Sequence, residues 1–225
     1  MEEAVRAIET FLAERTPRVV VTADSSGIVA AQSDPEFRSI LLGADLVTPD
    51  STGILWAARR KGMPMRGRVS GVDLVDALCA RSADKGYRVY LLGAAPGVAE
   101  MAAERLRLRH PGCNVVGARH GYFPPDSDEL VAREVAEAKP DILLVGMGIP
   151  RQEKFLWTMR EVHRAPVSMG VGGSFDVLSG RKRRAPKLLQ RIGLEWLWRL
   201  ALSPRKISKV KALPRFLWLV LRKDI

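Results

Sequence analysis

The stretch DILLVGMGIPRQE, residues 141–153, contains a short apolar run, a glycine turn and the start of a helix. The run at 142–145 is uncharged and only four residues long, which favours a buried strand over a helix. Gly146 and Gly148 allow the chain to turn sharply, and the amphipathic run 152–162 follows them. A strand, a turn and a helix in this order indicate a βαβ unit, in which helices cover a parallel sheet.

The same alternation of short apolar and longer amphipathic runs extends through the first 180 residues. We predict further strands at 19–22, 44–47, 88–92, 114–117 and 167–171, and further helices at 52–60, 72–85, 98–109 and 125–138. The predicted fold class is therefore α/β. It comprises a single Rossmann-like domain, residues 1–180, with a parallel sheet flanked by helices, and a basic amphipathic helical C-terminal appendage, residues 181–225.

Composition excludes several classes of protein. Hydrophobic residues make up 47% of the 225, which is enough apolar surface to exclude a disordered chain. The two cysteines, Cys79 and Cys113, are too few for a disulfide scaffold or a four-cysteine zinc site, and they favour a reducing cytoplasm. Residues 1–3 are not a basic leader, and no uncharged apolar run approaches the ~20 residues of a membrane-spanning helix. We expect a cytoplasmic protein that is soluble or bound to a surface.

The net charge of +11 is concentrated in the appendage. The appendage holds 14 of the 36 Lys and Arg residues but only two of the 25 Asp and Glu residues. Its charge is therefore +12, whereas residues 1–180 carry −1. This asymmetry predicts a polyanionic partner, either nucleic acid or an anionic membrane.

Large apolar side chains, including Trp196 and Trp198, are interleaved with these charges. Basic amphipathic segments that carry Trp suit the headgroup layer of a membrane, so we favour an anionic membrane surface, and no nucleic acid, as the partner. The alternatives are that the apolar residues pack on the domain core or that the appendage binds nucleic acid. A helix is predicted from about 186 to 202, and Pro204 and Pro214 should divide the remainder into short pieces.

Three predicted strands run into glycine turns, at residues 92–97, 145–150 and 171–173. The carboxyl ends of parallel strands meet at one edge of a sheet, where open α/β folds bind their ligands. Backbone amides of such turns can bind a phosphate, although each turn alone is also ordinary turn chemistry. The candidate substrate-binding glycines are Gly93, Gly97, Gly146, Gly148, Gly172 and Gly173.

The second turn matches part of a dinucleotide-binding fingerprint. Arg151 stands where the third glycine would be, so the fingerprint is incomplete. A nucleotide-dependent oxidoreductase is therefore an alternative function rather than the favoured one. The first turn lacks the Gly-Lys-Ser/Thr of a P-loop, which argues against NTP hydrolysis.

Three polar residues near this edge are candidates for chemistry. Asp50 follows a strand and precedes a helix, so it could be a general base or the cap of that helix. Gln152, beside the second turn, and Asp176, beside the third, could bind a ligand or cap their own helices.

No metal site is predicted. His110, His120 and His163 lie far apart, without the spacing or the neighbouring cysteines of a zinc site. Asp126 and Asp128 superficially match a paired-Asp metal motif. They follow two prolines, so we interpret them as capping residues of the next helix.

Ordered blocks along the chain resemble the WecG/TagA/CpsF glycosyltransferases (glycosyltransferase family 26). The stretch 141–153 is similar to the family signature. The other matching blocks, in order, are 46–50, 68–73, 91–97, 121–123, 171–176, Gly180, 184–186, 193–199 and 204–205. The resemblance covers roughly residues 15–206.

The resemblance implies a bacterial, metal-independent, inverting transferase that needs no cofactor. It would move a sugar, commonly N-acetylmannosamine or its uronic acid, from a UDP-sugar donor to N-acetylglucosamine on undecaprenyl diphosphate, a polyprenyl-diphosphate-linked acceptor. The product would serve the synthesis of teichoic acid or another cell-surface polysaccharide in cell wall biogenesis. The enzyme would be peripheral on the inner face of the bacterial cell membrane, and a homo-oligomer is left open.

The resemblance also implies roles for individual residues. Asp50 aligns with the proposed catalytic base, and Thr22 aligns with the threonine of a Thr-x-Asn motif in the substrate site. Gln152 aligns with an active-site glutamine. Arg199 and Arg205 are assigned to catalysis, on a membrane-docked appendage that brings them over the donor diphosphate.

Two positions depart from the family pattern. The Thr-x-Asn motif reads Thr22-Ala-Asp24, so an amide that can donate is replaced by a carboxylate that only accepts at neutral pH. Ser51 replaces a glycine after Asp50. Asp24 is therefore a substrate-binding candidate at which a different hexose donor or lipid-linked acceptor would be recognised.

Overall fold

A computed structural model describes residues 1–63, 65–191, 195, 197–198 and 207–222. Within them, six strands form one sheet: β1 (Arg18–Ala23), β2 (Leu46–Pro49), β3 (Arg88–Gly93), β4 (Asn114–Arg119), β5 (Ile142–Gly146) and β6 (Val167–Gly170). Every neighbouring pair is parallel, and the spatial order is β2-β1-β6-β5-β3-β4. The predicted α/β class with a parallel sheet is confirmed.

Helices connect and cover these strands. Those before residue 100 are α1 (Glu2–Glu14), α2 (Ser25–Ala31), α3 (Pro35–Gly43), α4 (Thr52–Arg60), α5 (Gly71–Lys85) and α6 (Val98–Arg109). A 3-10 turn (Pro125–Ser127) precedes α7 (Asp128–Glu137), followed by α8 (Arg151–Thr158), α9 (Arg160–His163), α10 (Ser174–Leu178), α11 (Lys187–Arg191) and α12 (Ile207–Arg222). No helix among the described residues has the length and the apolar character needed to cross a bilayer.

The sheet separates two hydrophobic clusters. Along β5, Ile142 and Leu144 belong to the cluster that includes residues of α1, α5 and α6, whereas Leu143 and Val145 belong to the cluster that includes residues of α7 and α8. All four side chains are fully buried. Burial on both faces is the reason that this strand reads as a continuous apolar run without alternation.

Several elements differ from their predicted form. The helix predicted at 152–162 is divided into α8 and α9, and the one predicted at 125–138 begins with a 3-10 turn. Helices α1, α2 and α3 were not predicted from the sequence. Of the helix predicted at about 186–202, the structure describes α11, and most of the remainder lies outside the described residues.

The expectation that Pro214 would divide the appendage is wrong. Pro214 lies inside α12, which is 16 residues long. An internal proline costs a helix ~3 kcal/mol, because a backbone hydrogen bond is lost and the ring crowds the preceding turn. Burial of Phe216, Leu219 and Val220, on a helix that packs against α2, offsets that cost.

We predict that Leu144→Ala lowers the free energy of unfolding by about 2–5 kcal/mol, because it leaves a cavity in the middle of β5. Urea denaturation followed by circular dichroism would measure this change. Leu130→Ala is the matched control, since Leu130 is 60% exposed on α7. Equal effects of the two substitutions would contradict the placement of Leu144 in the core.

Candidate active site

A cavity of about 490 Å³ lies at the carboxyl ends of the central strands. Nine of the residues predicted from the sequence line it: Thr22, Asp24, Asp50, Gly146, Gly148, Gln152, Gly172, Gly173 and Asp176. Residues from β1, β2, β5 and β6, or from the turns after them, therefore meet around one space. This is the crevice that the three glycine turns predict.

Asp50 is held at the cavity by the backbone around it. Its amide donates to the carbonyl of Ala23 at 2.9 Å, and its Oδ1 accepts from the amide of Gly71, the first residue of α5, at 3.1 Å. The helix that follows Asp50 is capped by Ser51, whose Oγ accepts from the amide of Ile54 at 3.3 Å. The interpretation of Asp50 as the cap of α4 is therefore wrong, and its carboxylate lies at the cavity wall.

A guanidinium lies within electrostatic range of this carboxylate. Arg184 binds both oxygens of Asp73, at 2.5 and 2.6 Å. That contact raises the pKa of Arg184 above its usual value, and the negative charges of Glu195 and Asp50 raise the pKa further. The ion pair of Arg184 with Asp73 thus attaches the start of the appendage to α5 beside Asp50.

Thr22 and Asp24 have structural bonds as well as places in the cavity wall. The Thr22 hydroxyl donates to the carbonyl of Gly170 at 2.7 Å and joins β1 to β6. Asp24 caps α2, where its Oδ1 accepts from the amide of Gly27 at 2.8 Å and from the Ser26 hydroxyl at 2.6 Å. An asparagine carbonyl could accept the same bonds, so Asp24 retains the cap and adds a negative charge to the cavity.

Gln152 connects the second and third glycine turns. Its side chain is buried, and Oε1 accepts from the amide of Gly148 at 3.1 Å and from the amide of Gly172 at 3.0 Å. Its Nε2 donates to Oε1 of Glu153 at 2.7 Å. The amides of Gly148 and Gly172, which were predicted to bind phosphate, therefore already donate to a side chain of the protein. Gln152 thus positions the two turns relative to each other.

The first and second turns are in backbone contact. A Cβ on Gly93 would lie 2.5 Å from the Gly146 carbonyl oxygen, and the φ of Gly93 is 146°, so only glycine fits there. Gly146 in turn approaches the third turn, since its Cβ would lie 2.8 Å from the Gly172 carbonyl oxygen. Gly93 is buried against Gly146, and Gly97 is the exposed N-cap residue of α6. Neither of these two predicted residues is among the lining residues.

Positive charge reaches the cavity from the residues that follow α10. Arg181 and Lys182 both line it. Lys182 forms an ion pair with Asp176, and its amide donates to the Asp176 carbonyl at 2.8 Å. Arg181 is exposed. Arg199 and Arg205, the cations assigned to catalysis by resemblance, lie outside the described residues.

Among the described residues, five polar side chains that line the cavity were not predicted from the sequence as site residues: Ser70, Tyr122, Ser174, Arg181 and Lys182. Tyr122 is 71% exposed, and a Gly-Tyr-Phe block marks it, but nothing in that block predicts that it reaches this edge. Arg181 and Lys182 open the basic segment, where they were counted with the cations of the appendage.

The acidic pair Asp126 and Asp128, at the start of α7, does not cap that helix. Asp128 forms an ion pair with Arg151, and α7 has no side-chain capping bond, so the capping interpretation of Asp126 and Asp128 is wrong.

Burial lowers the pKa of His163 to about 4, and its ring stacks on Phe155 in the core. Among the described residues, no group of three or more His, Cys, Asp or Glu side chains is placed to hold a metal ion.

The chain is similar to known proteins over nearly its whole length. The sequence model that describes the glycosyl transferase WecG/TagA/CpsF family matches residues 1–225 of this chain. A relative from Bacillus spizizenii (strain W23), named N-acetylglucosaminyldiphosphoundecaprenol N-acetyl-beta-D-mannosaminyltransferase, is 32% identical over 215 residues. The alignment covers 96% of this chain and 83% of the relative. The family match spans the whole chain, including every residue that lines the cavity, and the chain therefore belongs to the WecG/TagA/CpsF family of glycosyltransferases.

Proposed function

We propose that the protein transfers N-acetylmannosamine, or its uronic acid, from a UDP-sugar to N-acetylglucosamine on undecaprenyl diphosphate, with inversion and without a metal ion. The observation that carries this proposal is the position of Asp50 in a cavity bounded by glycine turns and by Arg181. The name of the Bacillus relative supports the choice of sugar and of lipid-linked acceptor. Family membership excludes the alternative of a nucleotide-dependent oxidoreductase.

In this proposal Asp50 is the general base. Its Oδ1 is held by the Gly71 amide, and its carboxylate takes the proton from an acceptor hydroxyl. The hydroxyl oxygen attacks the anomeric carbon from the face opposite UDP. A new glycosidic C–O bond forms as the bond to UDP breaks, and UDP leaves with the electron pair. One displacement of this kind inverts the anomeric centre.

The departing diphosphate is a weak base, so no general acid is required, but its growing charge must be stabilised. Since Gln152 occupies the amides of Gly148 and Gly172, cationic side chains supply most of that stabilisation. Arg181 is the best placed among the described residues, because Lys182 is already paired with Asp176. A guanidinium can bind two phosphate oxygens at once. Arg199 and Arg205 remain proposed as further contributors.

The appendage is proposed to dock the enzyme on the inner face of the membrane. Phe216, Leu219 and Val220 are buried, but Trp218 and Leu221 are 48% and 56% exposed on the same helix. Helix α12 thus packs on the domain and also presents apolar side chains outward, and these exposed side chains support the proposed membrane contact. Arg222 lies over the Trp218 ring, 4.2 Å from its centroid, an arrangement suited to a headgroup layer.

The proposed function predicts that sugar passes from UDP-N-acetylmannosamine or its uronic acid to a short-chain N-acetylglucosaminyl diphospholipid, in the presence of EDTA. A panel of UDP-sugars, with products identified by mass spectrometry, would measure this. Transfer from a UDP-glucose-type donor alone would contradict the proposed donor. A requirement for added divalent metal would contradict the metal-free mechanism.

Asp50→Asn should lower kcat by on the order of 100-fold or more, because an amide cannot take the acceptor proton. Asp84→Asn, at an exposed position of α5, is the matched control and should leave kcat unchanged. Calorimetric titration with UDP would show whether the Asp50 variant still binds nucleotide. A kcat within a few-fold of wild type would remove Asp50 from the role of base.

Arg181→Gln should weaken UDP binding by about 10-fold or more, since a charged hydrogen bond to phosphate contributes about 1.5–3 kcal/mol. Isothermal titration calorimetry would measure the dissociation constant. Arg133→Gln, at an exposed arginine on α7, is the control. Equal affinity of the Arg181 variant and wild type would place the diphosphate away from Arg181.

A further inference from the structure

The last turn of α4 and the connection from α4 to α5 form a second cationic and apolar surface, outside the appendage. Residues 59–68, here called the basic loop, contain five basic residues: Arg59, Arg60, Lys61, Arg66 and Arg68. From Ser51 to Val72 there is no Asp or Glu, so this part of a nearly neutral domain has a charge of +5. Local charge of one sign indicates a polyanionic partner.

Apolar side chains accompany these cations at the surface. Met63 is 60% exposed and Met65 is 41% exposed, and Trp56, on α4, is 38% exposed. Arg59, Arg60 and Arg66 are also exposed, and the Arg66 side chain remains 87% accessible although it pairs with Glu3. These methionines lie largely outside the core of this chain, and exposed apolar side chains that cluster beside polar ones mark interaction surfaces.

The end of the basic loop is fixed beside the proposed base. The amide of Val69 donates to the carbonyl of Pro49 at 2.9 Å, and the amide of Gly71 donates to Asp50 at 3.1 Å. Arg68 pairs with Glu195 of the appendage at 2.7 Å, and both side chains are largely buried. A surface that binds the basic loop would therefore be held at a fixed distance from Asp50.

We propose that the basic loop is a second membrane contact, in which Met63 and Met65 enter the headgroup layer and the arginines bind anionic lipid. This inference rests on the proposed function, because an acceptor on a lipid must be reached from the membrane surface. Cations interleaved with exposed apolar side chains match an anionic bilayer. A nucleic acid would use the cations but would leave the methionines in water.

The proposed contact gives the enzyme two separate attachments, α12 and the basic loop, the second of which ends at Asp50. The diphosphate of a lipid-linked acceptor lies at headgroup depth. Attachment through the basic loop therefore places the base close to the sugar that the diphosphate carries, and it restricts how the domain can tilt on the bilayer.

The most direct test is a fluorescent label at the loop in the full-length chain. Met63→Cys labelled with an environment-sensitive dye should show a blue shift and increased emission on phosphatidylcholine vesicles that contain about 30% phosphatidylglycerol, and little change on phosphatidylcholine alone. Lys139→Cys, in the exposed segment before β5 at the opposite edge of the sheet, is the control and should not change. A label at Met65→Cys repeats the test if the first variant does not fold.

A variant with fewer arginines tests the electrostatic contribution to the proposed membrane contact. Arg59→Gln, Arg60→Gln and Arg66→Gln together should lower the partition coefficient onto the anionic vesicles by on the order of 10- to 100-fold. The matched control changes Arg15, Lys139 and Arg164 to Gln, three exposed cations that precede β1, β5 and β6. UDP binding, measured by calorimetry, should be the same in both variants.

Two outcomes would overturn the proposal: an unchanged label spectrum on anionic vesicles, or equal partitioning of the loop and control variants. Loss of RNA or DNA binding in the loop variant, with vesicle binding intact, would assign the basic loop to nucleic acid instead. Vesicle binding needs no sugar transfer. If the basic loop binds anionic vesicles but the enzyme uses none of the proposed donors, the proposed function is contradicted and the membrane contact of the loop still holds.

Discussion

The bonds from the Gln152 carbonyl to the amides of Gly148 and Gly172 fix the carboxyl edge of the sheet on which the active site depends. They join two turns that lie 20 or more residues apart in sequence, while Gly93 and Gly146 allow the first turn to approach the second. Because Gln152 is fully buried, the loss of its carbonyl would leave two amides without an acceptor. The edge is therefore held in place by hydrogen bonds within the protein itself.

In the proposed mechanism, the two substrates approach different parts of this edge according to its charge. Asp50 and Asp24 give one wall of the cavity acidic character, whereas Arg181 supplies positive charge at the start of the appendage. We propose that the donor diphosphate binds at the guanidinium and that the acceptor hydroxyl lies at the carboxylate. The proposed membrane contacts of the appendage and of the basic loop would hold this arrangement at the surface that carries the acceptor.

Most of the sheet and the location of the site could be predicted from the sequence, because both depend on local patterns. Parallel strands end at one edge, so Thr22, Asp50 and the glycines of three turns had to converge there. Contacts between distant residues could not be predicted in this way. The bond from Gln152 to Gly172 and the continuation of α12 through Pro214 depend on packing that no local pattern records. The same holds for the place of Arg181 in the cavity wall.

A crystal structure of the enzyme with an unreactive analogue of its UDP-sugar would show where the donor binds. We expect the diphosphate to lie between the glycine turns and Arg181, and the face of the anomeric carbon opposite UDP to be turned toward the Asp50 carboxylate. A nucleotide bound elsewhere on the protein, or an anomeric carbon whose open face points away from Asp50, would contradict this expectation.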